Sequence, residues 1–260
     1  MVIGSSVSSR FTLREQTVHL NSPEGKQILA TLRDGDYAHP GEDEAVALTL
    51  QGLTPDPRHR VLDVGCGRGG TAEWIRRRGW TQVVGIDRDA EVIGYARQRY
   101  PQVQFRDCDV LALPEAGLGR FDLICLFNSY YAFADQQAAL RALRAVSAPG
   151  AQLRLFDYAQ PTPGPPPTAL GAEIGRPVAL DRIAGQLADA GWGDPALTDL
   201  SARYIDWYQS LLDKLAARRA QIVAGHGADW HVFFTDWYGA LHRALIDGQI
   251  RGVLIAATAG

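Results

Sequence analysis

The stretch Val61-Leu62-Asp63-Val64-Gly65-Cys66-Gly67-Arg68-Gly69-Gly70 constrains this chain more than any other. Its apolar start reads as a short strand and Gly70–Arg78 as an amphipathic helix, so glycines fill the turn between them. Glycine lets a backbone turn tightly and approach a ligand with no Cβ in the way. Gly65, Gly67 and Gly70 satisfy G-x-G-x-x-G, and Asp87 ends the next apolar run about twenty residues later, where an acid can meet ribose hydroxyls. Taken alone, that pattern fits a dinucleotide as well as another nucleoside ligand.

The surroundings of the loop set the fold class. Short apolar runs at Arg60–Val64, Gln82–Ile86, Val103–Phe105, Phe121–Phe127 and Gln152–Phe156 alternate with amphipathic stretches at Gly70–Arg78, Ala90–Arg99 and Asp135–Val146. Strands alternating with helices imply parallel pairing and right-handed crossovers, a doubly wound α/β sheet. The first sixty residues read as helical. Asn21-Ser22-Pro23-Glu24 offers a cap at Asn21 with a glutamate three places after it and a first-turn proline, and a second helix begins near Gly41 with Glu42, Asp43 and Glu44 at its positive end. Five prolines in the seven residues 161–167 make an extended connection to a helix at Leu180–Ala190. A sixth strand at Ala196–Leu200 and a last one at Gly252–Ala257 bracket a helical stretch, Ala202–Gly248.

Two further carboxylates separate the ligand readings. Asp63 stands two residues before the first glycine, where it would crowd a pyrophosphate with like charge but welcome a cationic group. Asp109 follows the third strand, where it can accept from an adenine amino group while the Val110 amide reaches a ring nitrogen. Three acids at three successive strand ends suit a sulfonium nucleoside better than a dinucleotide, which leaves a nicotinamide oxidoreductase as the disfavoured reading.

Residues 61–157 resemble the core of the class I S-adenosylmethionine-dependent methyltransferases. Asp63-x-Gly65-x-Gly67-x-Gly69 resembles the first motif of that family, Asp87 its ribose acid and Asp109 its adenine-side acid. Phe121-Asp122-Leu123-Ile124 resembles the opening of the fourth strand. Pro149-Gly150 resembles the entry to the fifth, with Ala151 where a second glycine is usual. The resemblance implies a Rossmann-like seven-stranded sheet with an antiparallel last strand, here Gly252–Ala257, preceded by the helical insertion. It implies S-adenosylmethionine (SAM) as cofactor, held by Asp63, Gly65, Cys66, Gly67, Asp87, Arg88, Asp109, Val110 and Asn128, with Tyr37 folding over from the N-terminal segment. Tyr204, Tyr208, Phe234, Trp237, Tyr238 and Gly248–Gly252 also resemble the tails of sarcosine- and dimethylglycine-type N-methyltransferases. The division expected is an N-terminal helical lid at 1–57, a cofactor core at 58–160 and an acceptor lid at 202–248, all in one domain.

Composition narrows the acceptor. Lys+Arg of 26 against Asp+Glu of 29 gives a net charge of −3, which lacks the basic excess typical of nucleic-acid binders. The only lysines are Lys26 and Lys214, so Schiff-base chemistry has almost no candidates. Cys66, Cys108 and Cys125 form neither a disulfide framework nor a zinc pattern, and no apolar run approaches the roughly 18 residues that span a bilayer. The opening Met-Val-Ile-Gly-Ser-Ser shows no charged region leading into an apolar one. These readings give a cytoplasmic enzyme with a small-molecule acceptor, monomeric or homodimeric, using no metal.

Methyl transfer from a sulfonium is an in-line displacement in which positioning supplies much of the catalysis. The carboxyl edge of the fourth strand is therefore where catalytic residues are sought: Asn128, Tyr130 and Tyr131. The acceptor expected is an amine nitrogen; cyclisation of SAM itself, releasing methylthioadenosine, is the alternative. His39 is read as either a lid contact or a helix-entry residue, and His231 as a packing residue before a base. The insertion holds eight of the 23 aromatic residues, and its aromatic stripe suits core packing first and an acceptor cage second.

Overall fold

A computed structural model describes residues 18–162 and 164–260. The expectations for the opening residues, for the start of the N-terminal lid and for Pro163 fall outside them. Five parallel strands, β1 (Arg60–Val64), β2 (Gln82–Asp87), β3 (Gln104–Asp107), β4 (Phe121–Phe127) and β5 (Ser147–Gln160), build most of one sheet. A two-residue β6 (Val178–Ala179) pairs with the end of β5. β7 (Trp192–Asp199) and β8 (Arg251–Ala259) complete the path β3-β2-β1-β4-β5-β8-β7, with β8 antiparallel to both neighbours. The expected seven-stranded sheet is thus present, with β6 as an eighth strand that two residues of sequence could not announce. β7 begins four residues earlier than the apolar run suggests. Asp194, in a left-handed conformation, and Pro195 interrupt its pairing with β8 between Gly193 and Ala196, and that break hides the first half of the strand.

Helices cover both faces, which is why the parallel strands are apolar throughout. α3 (Gly70–Arg77), α4 (Ala90–Arg99), α1 (Pro23–Leu32), α2 (Glu42–Thr49) and the insertion pack on one face. α5 (Gln136–Ala145), α6 (Ile183–Asp189) and a 3-10 turn at Val110–Glu115 pack on the other. The insertion is three helices, α7 (Ser201–Ala217), α8 (Arg219–His226) and α9 (Ala228–Ile246), broken at Arg218 and at Gly227. Its stripe does pack: Tyr204, Tyr208, Phe234, Trp237, Tyr238 and Leu241 are all buried. Tyr204 lies flat on β8 at Gly252, where a Cβ would come within 2.1 Å of the ring, so only glycine fits there.

The cap of α1 differs from the expectation in a way that matters below. Ser22, not Asn21, caps the helix, accepting from the Gly25 amide at 3.1 Å, with Pro23 in the first turn. The Asn21 side chain is left to point across the sheet edge.

Candidate active site

A cleft of about 370 Å³ opens along the carboxyl ends of β1, β2, β3 and β4, within the usual range for small-molecule sites. Its wall holds Gly65, Gly67, Asp87, Arg88, Asp109, Val110, Asn128 and Tyr131 together. It also holds Asn21 and Ser22 before the first helix, Pro23 and Lys26 within it, Ala38, and the Phe133–Asp135 segment, none of them assigned to the site from the sequence.

The glycine loop is fixed by two amides, Gly65 N and Cys66 N, which both donate to Ile86 O at 2.8 and 2.9 Å. Gly65 has φ +74°, and a Cβ there would sit 2.5 Å from that of Ser129, whose Oγ donates to Val64 O at 2.6 Å. The turn after β4 thus closes on the loop too tightly for any other residue. Asp87 receives the Gly67 amide at 3.0 Å, the Asp89 amide at 3.1 Å and Lys26 Nζ at 3.3 Å. Lys26 and Asp87 are both largely buried, so α1 is tied across the cleft by a nearly dry ion pair. Asp109 caps the 3-10 turn through the Leu111 amide at 2.9 Å and stands exposed at the cleft's rim.

Asp63 lies directly behind the loop, 1% exposed, and its Oδ2 has no partner among the described residues. Burial, then the charge of Asp87, pushes its carboxyl up to about 7. A buried carboxylate oxygen without a donor is costly, and a cationic ligand group would relieve it.

At the other end of the cleft, Asn128 takes a left-handed conformation, φ +46°, that a short amide tolerates better than most side chains. It accepts from the Tyr204 hydroxyl at 3.3 Å, while its buried Nδ2 has no partner among the described residues. The Tyr131 hydroxyl accepts from Asn21 Nδ2 at 3.2 Å. Beneath the turn, Asp157 holds the amides of Tyr130 and Tyr131 at 2.8 and 3.3 Å, and burial pushes its carboxyl up to about 7. Sequence reasoning passed over Asp157 because nothing local marks a buried acid inside a strand.

Some expected residues lie elsewhere. The Tyr130 side chain is fully buried on the α5 side of the sheet, packed on Phe133, and is absent from the cleft wall; the turn that presents Tyr131 sends its neighbour to the opposite face. The Tyr37 hydroxyl bonds Asp43, and its ring packs edge-on to His39 at 5.5 Å, so the turn that carries it meets the cleft through the neighbouring Ala38 instead. His39 is buried against Phe127 with Nε2 2.9 Å from Thr71 Oγ1, and burial lowers it to about 3, which keeps it neutral. Cys66 is buried beneath the loop, against Gly85. His231 makes a packing contact with Leu215 O at 3.3 Å.

A glycine turn, an acid at each of three strand ends and a closed far end define a nucleoside-binding enzyme of the doubly wound class with an antiparallel final strand. The comparisons agree. Residues 61–150 match the family described as methyltransferase domain. A phosphoethanolamine N-methyltransferase of Triticum aestivum is 27% identical over 210 residues, 76% of this chain and 41% of that protein. An O-methyltransferase of Penicillium expansum is 31% identical over 158 residues, 57% of each chain. A solved structure of Haemonchus contortus phosphoethanolamine N-methyltransferase 2, with phosphomonomethylethanolamine and S-adenosylhomocysteine, superposes with a TM-score of 0.83 at 15% identity, over 92% of this chain and 58% of that one. The chain spans less than half the length of the curated plant relatives it matches. Residues 61–150 therefore carry a methyltransferase domain, and the chain resembles the class I SAM-dependent methyltransferases, whose cofactor is SAM.

The residues present fit that cofactor. The Asp63 oxygen and the Asn128 Nδ2 are buried polar atoms without partners among the described residues, and Asp87 and the Cβ-free Gly65 and Gly67 on the cleft wall offer a nucleoside an acid and close backbone approach. Among the described residues, no three His, Cys, Asp or Glu gather as metal ligands, and no helix is long and apolar enough to cross a membrane.

Proposed function

We propose that this chain transfers a methyl group from SAM to a small-molecule acceptor, with an amine nitrogen as the acceptor atom. The observation that carries the reading is the single cleft that brings Gly65, Gly67, Asp87, Val110, Asn128 and Tyr131 onto one wall. When bound, the cofactor supplies an electrophilic methyl on a sulfonium. Asp87, Asp109 and Val110 would hold its nucleoside, and the Gly65–Gly67 backbone with Asp63 its amino-acid end. That leaves Asn128 and Tyr131 beside the acceptor.

The protein's own contribution is position and dryness. Asp157 locks the turn that carries Tyr131, and Asn21 orients the Tyr131 hydroxyl. Burial keeps the hydroxyls of Tyr131, Tyr158 and Tyr204 protonated, pushing their pKa values far up, so they donate hydrogen bonds and do not act as bases. No histidine lines the described cleft. An acceptor that needs no strong base therefore suits the site, and an amine reaching it in the neutral form meets that condition. The N-methyltransferases among the relatives support nitrogen, and the Penicillium protein named an O-methyltransferase keeps oxygen in the test.

Incubation with SAM and a panel of amines, alcohols and phenols, resolved by liquid chromatography, tests the proposal. S-adenosylhomocysteine forming only when an amine is present supports it. Methylthioadenosine forming without acceptor would replace transfer by cyclisation, and transfer to hydroxyls alone would overturn the choice of nitrogen.

A further inference from the structure

Behind Tyr131 the cleft ends in a wall of tyrosines drawn from three elements. Tyr131 packs edge-on against Tyr158 of β5 at 5.2 Å, and the Tyr158 hydroxyl bonds that of Tyr208 in α7. Tyr208 stacks on Tyr238 of α9 at 5.5 Å, and Tyr204 joins the group through Tyr158 at 6.0 Å. All five rings are buried. On the far side of this wall, at the end of α1, sits Arg33.

Arg33 is 3% exposed, and burial is the largest influence on its guanidinium. One nitrogen, Nη1, reaches Glu42 at 3.0 Å, and the Tyr238 hydroxyl faces the group. Nε and Nη2 are buried with no hydrogen-bond partner among the described residues. A guanidinium presents five donors in a planar fork and stays charged in any protein. Burying one with half its fork unused is costly unless something else binds there, because each unmade bond forfeits its hydration. Its single acid, Glu42, is about a quarter exposed, and its own backbone is in the left-handed region at φ +39°. A purely structural pair would spend neither the strained residue nor the two unpartnered nitrogens.

We propose that Arg33 is the specificity-determining residue of the acceptor site, and that it recognises an anionic group, carboxylate or phosphate, on a short amine. This deepens the reading of a methyl-accepting amine and rests on it. In such a site the acceptor's nitrogen lies at the Asn128–Tyr131 end of the cleft. The tyrosine rings and hydroxyls line its length, favouring a cationic or polar ligand over an aliphatic one. Arg33 closes the far end with Nε and Nη2, the two nitrogens left without partners among the described residues. The wall is sealed as it stands, so the anion enters as the Tyr158–Tyr208 hydroxyl pair opens.

Binding and turnover test the assignment with the whole chain. With S-adenosylhomocysteine present, glycine, 3-aminopropionate and phosphoethanolamine are titrated against ethanolamine and propylamine by calorimetry, in wild type, Arg33→Met and Glu42→Gln. At least one anionic amine should bind wild type more tightly than its neutral counterpart. Arg33→Met should weaken that ligand by more than about thirtyfold, since truncating one partner of a buried charged contact removes its donors altogether. Glu42→Gln should tighten it, because the competing carboxylate charge is gone. A structural pair gives the opposite pattern: both variants lower the melting temperature together and neither moves the ratio of anionic to neutral affinity. That pattern, or wild type binding no anionic amine, overturns the proposal. S-adenosylhomocysteine affinity in both variants confirms a folded cleft. The product formed from SAM, S-adenosylhomocysteine or methylthioadenosine, reports separately on methyl transfer.

Discussion

Affinity for the cofactor should climb with pH through the range in which Asp63 ionises. Asp63 is buried behind the glycine loop, with Oδ2 unpartnered and its carboxyl raised to about 7. Its ordinary value is 3.8. An acid raised in the folded state stabilises the fold fully below the unfolded value, and that contribution is lost as pH rises to the folded one. A cationic amino group held against the carboxylate recovers the loss, so binding selects the ionised form and releases a proton. At pH 5.5 roughly 3% of Asp63 would be ionised and at pH 7.0 about half, so affinity should rise about fifteenfold across that window. The ligand's own amino group, with an ordinary pKa near 8, stays protonated throughout it. Calorimetric titration of S-adenosylhomocysteine at four pH values between 5.5 and 7.0 measures the slope. Asp63→Asn should flatten it and leave binding weak at every pH. Asp157 also titrates near 7 but holds backbone amides, and Asp157→Asn should preserve the slope. A flat wild-type profile, or an unchanged slope in Asp63→Asn, would refute the placement of the amino group at Asp63.

Two further perturbations probe the loop and the tie across it. Gly65→Ala places a Cβ 2.5 Å from Ser129 in a left-handed backbone, so strain and overlap together should cost about 2–4 kcal/mol. For a domain of this size that lowers the melting temperature by roughly 5–15 °C; differential scanning fluorimetry reads it, and a drop under about 2 °C would show the contact to be soft. Lys26→Met removes the cation that shares Asp87 Oδ2, freeing the acid for ligand hydroxyls and lifting a repulsion toward a cationic ligand. Binding of SAM should tighten roughly three- to tenfold; weaker binding would instead make Lys26 a holder of the cofactor.

How much of this was legible depended on the distance over which each feature is written. The loop, Asp87 and the alternation of β1–β5 with α3–α5 are local: each needs fewer than about thirty residues of sequence, and hydrophobic period and glycine spacing carry them. Tyr131 and Asn128 followed from the strand end they occupy. Tyr130 did not, because adjacent residues in a tight turn leave in opposite directions and the sequence cannot say which faces the cleft. Asn21 was read as a cap by residue type, yet Ser22 does that work and Asn21 reaches Tyr131, a contact 110 residues away.

Lys26 and Arg33 show the same limit from the other side. Rarity alone set Lys26 apart, since it is one of two lysines, but rarity does not name its partner 61 residues on. Arg33 is one of 24 arginines and had no mark at all. Its neighbours Tyr208 and Tyr238 lie in the insertion, so the cluster exists only once α7 and α9 close over α1. The insertion stripe was legible as apolar packing, and so it is; its hydroxyls were not. A tyrosine and a phenylalanine give the same helical periodicity, and only the fold decides whether the oxygens meet one another, an asparagine at a strand end, or a guanidinium with donors to spare. Here the candidate cofactor contacts are local and the proposed acceptor contacts are assembled from distant elements, so the cofactor is what the sequence can tell, and the acceptor is read from buried polar atoms without partners among the described residues.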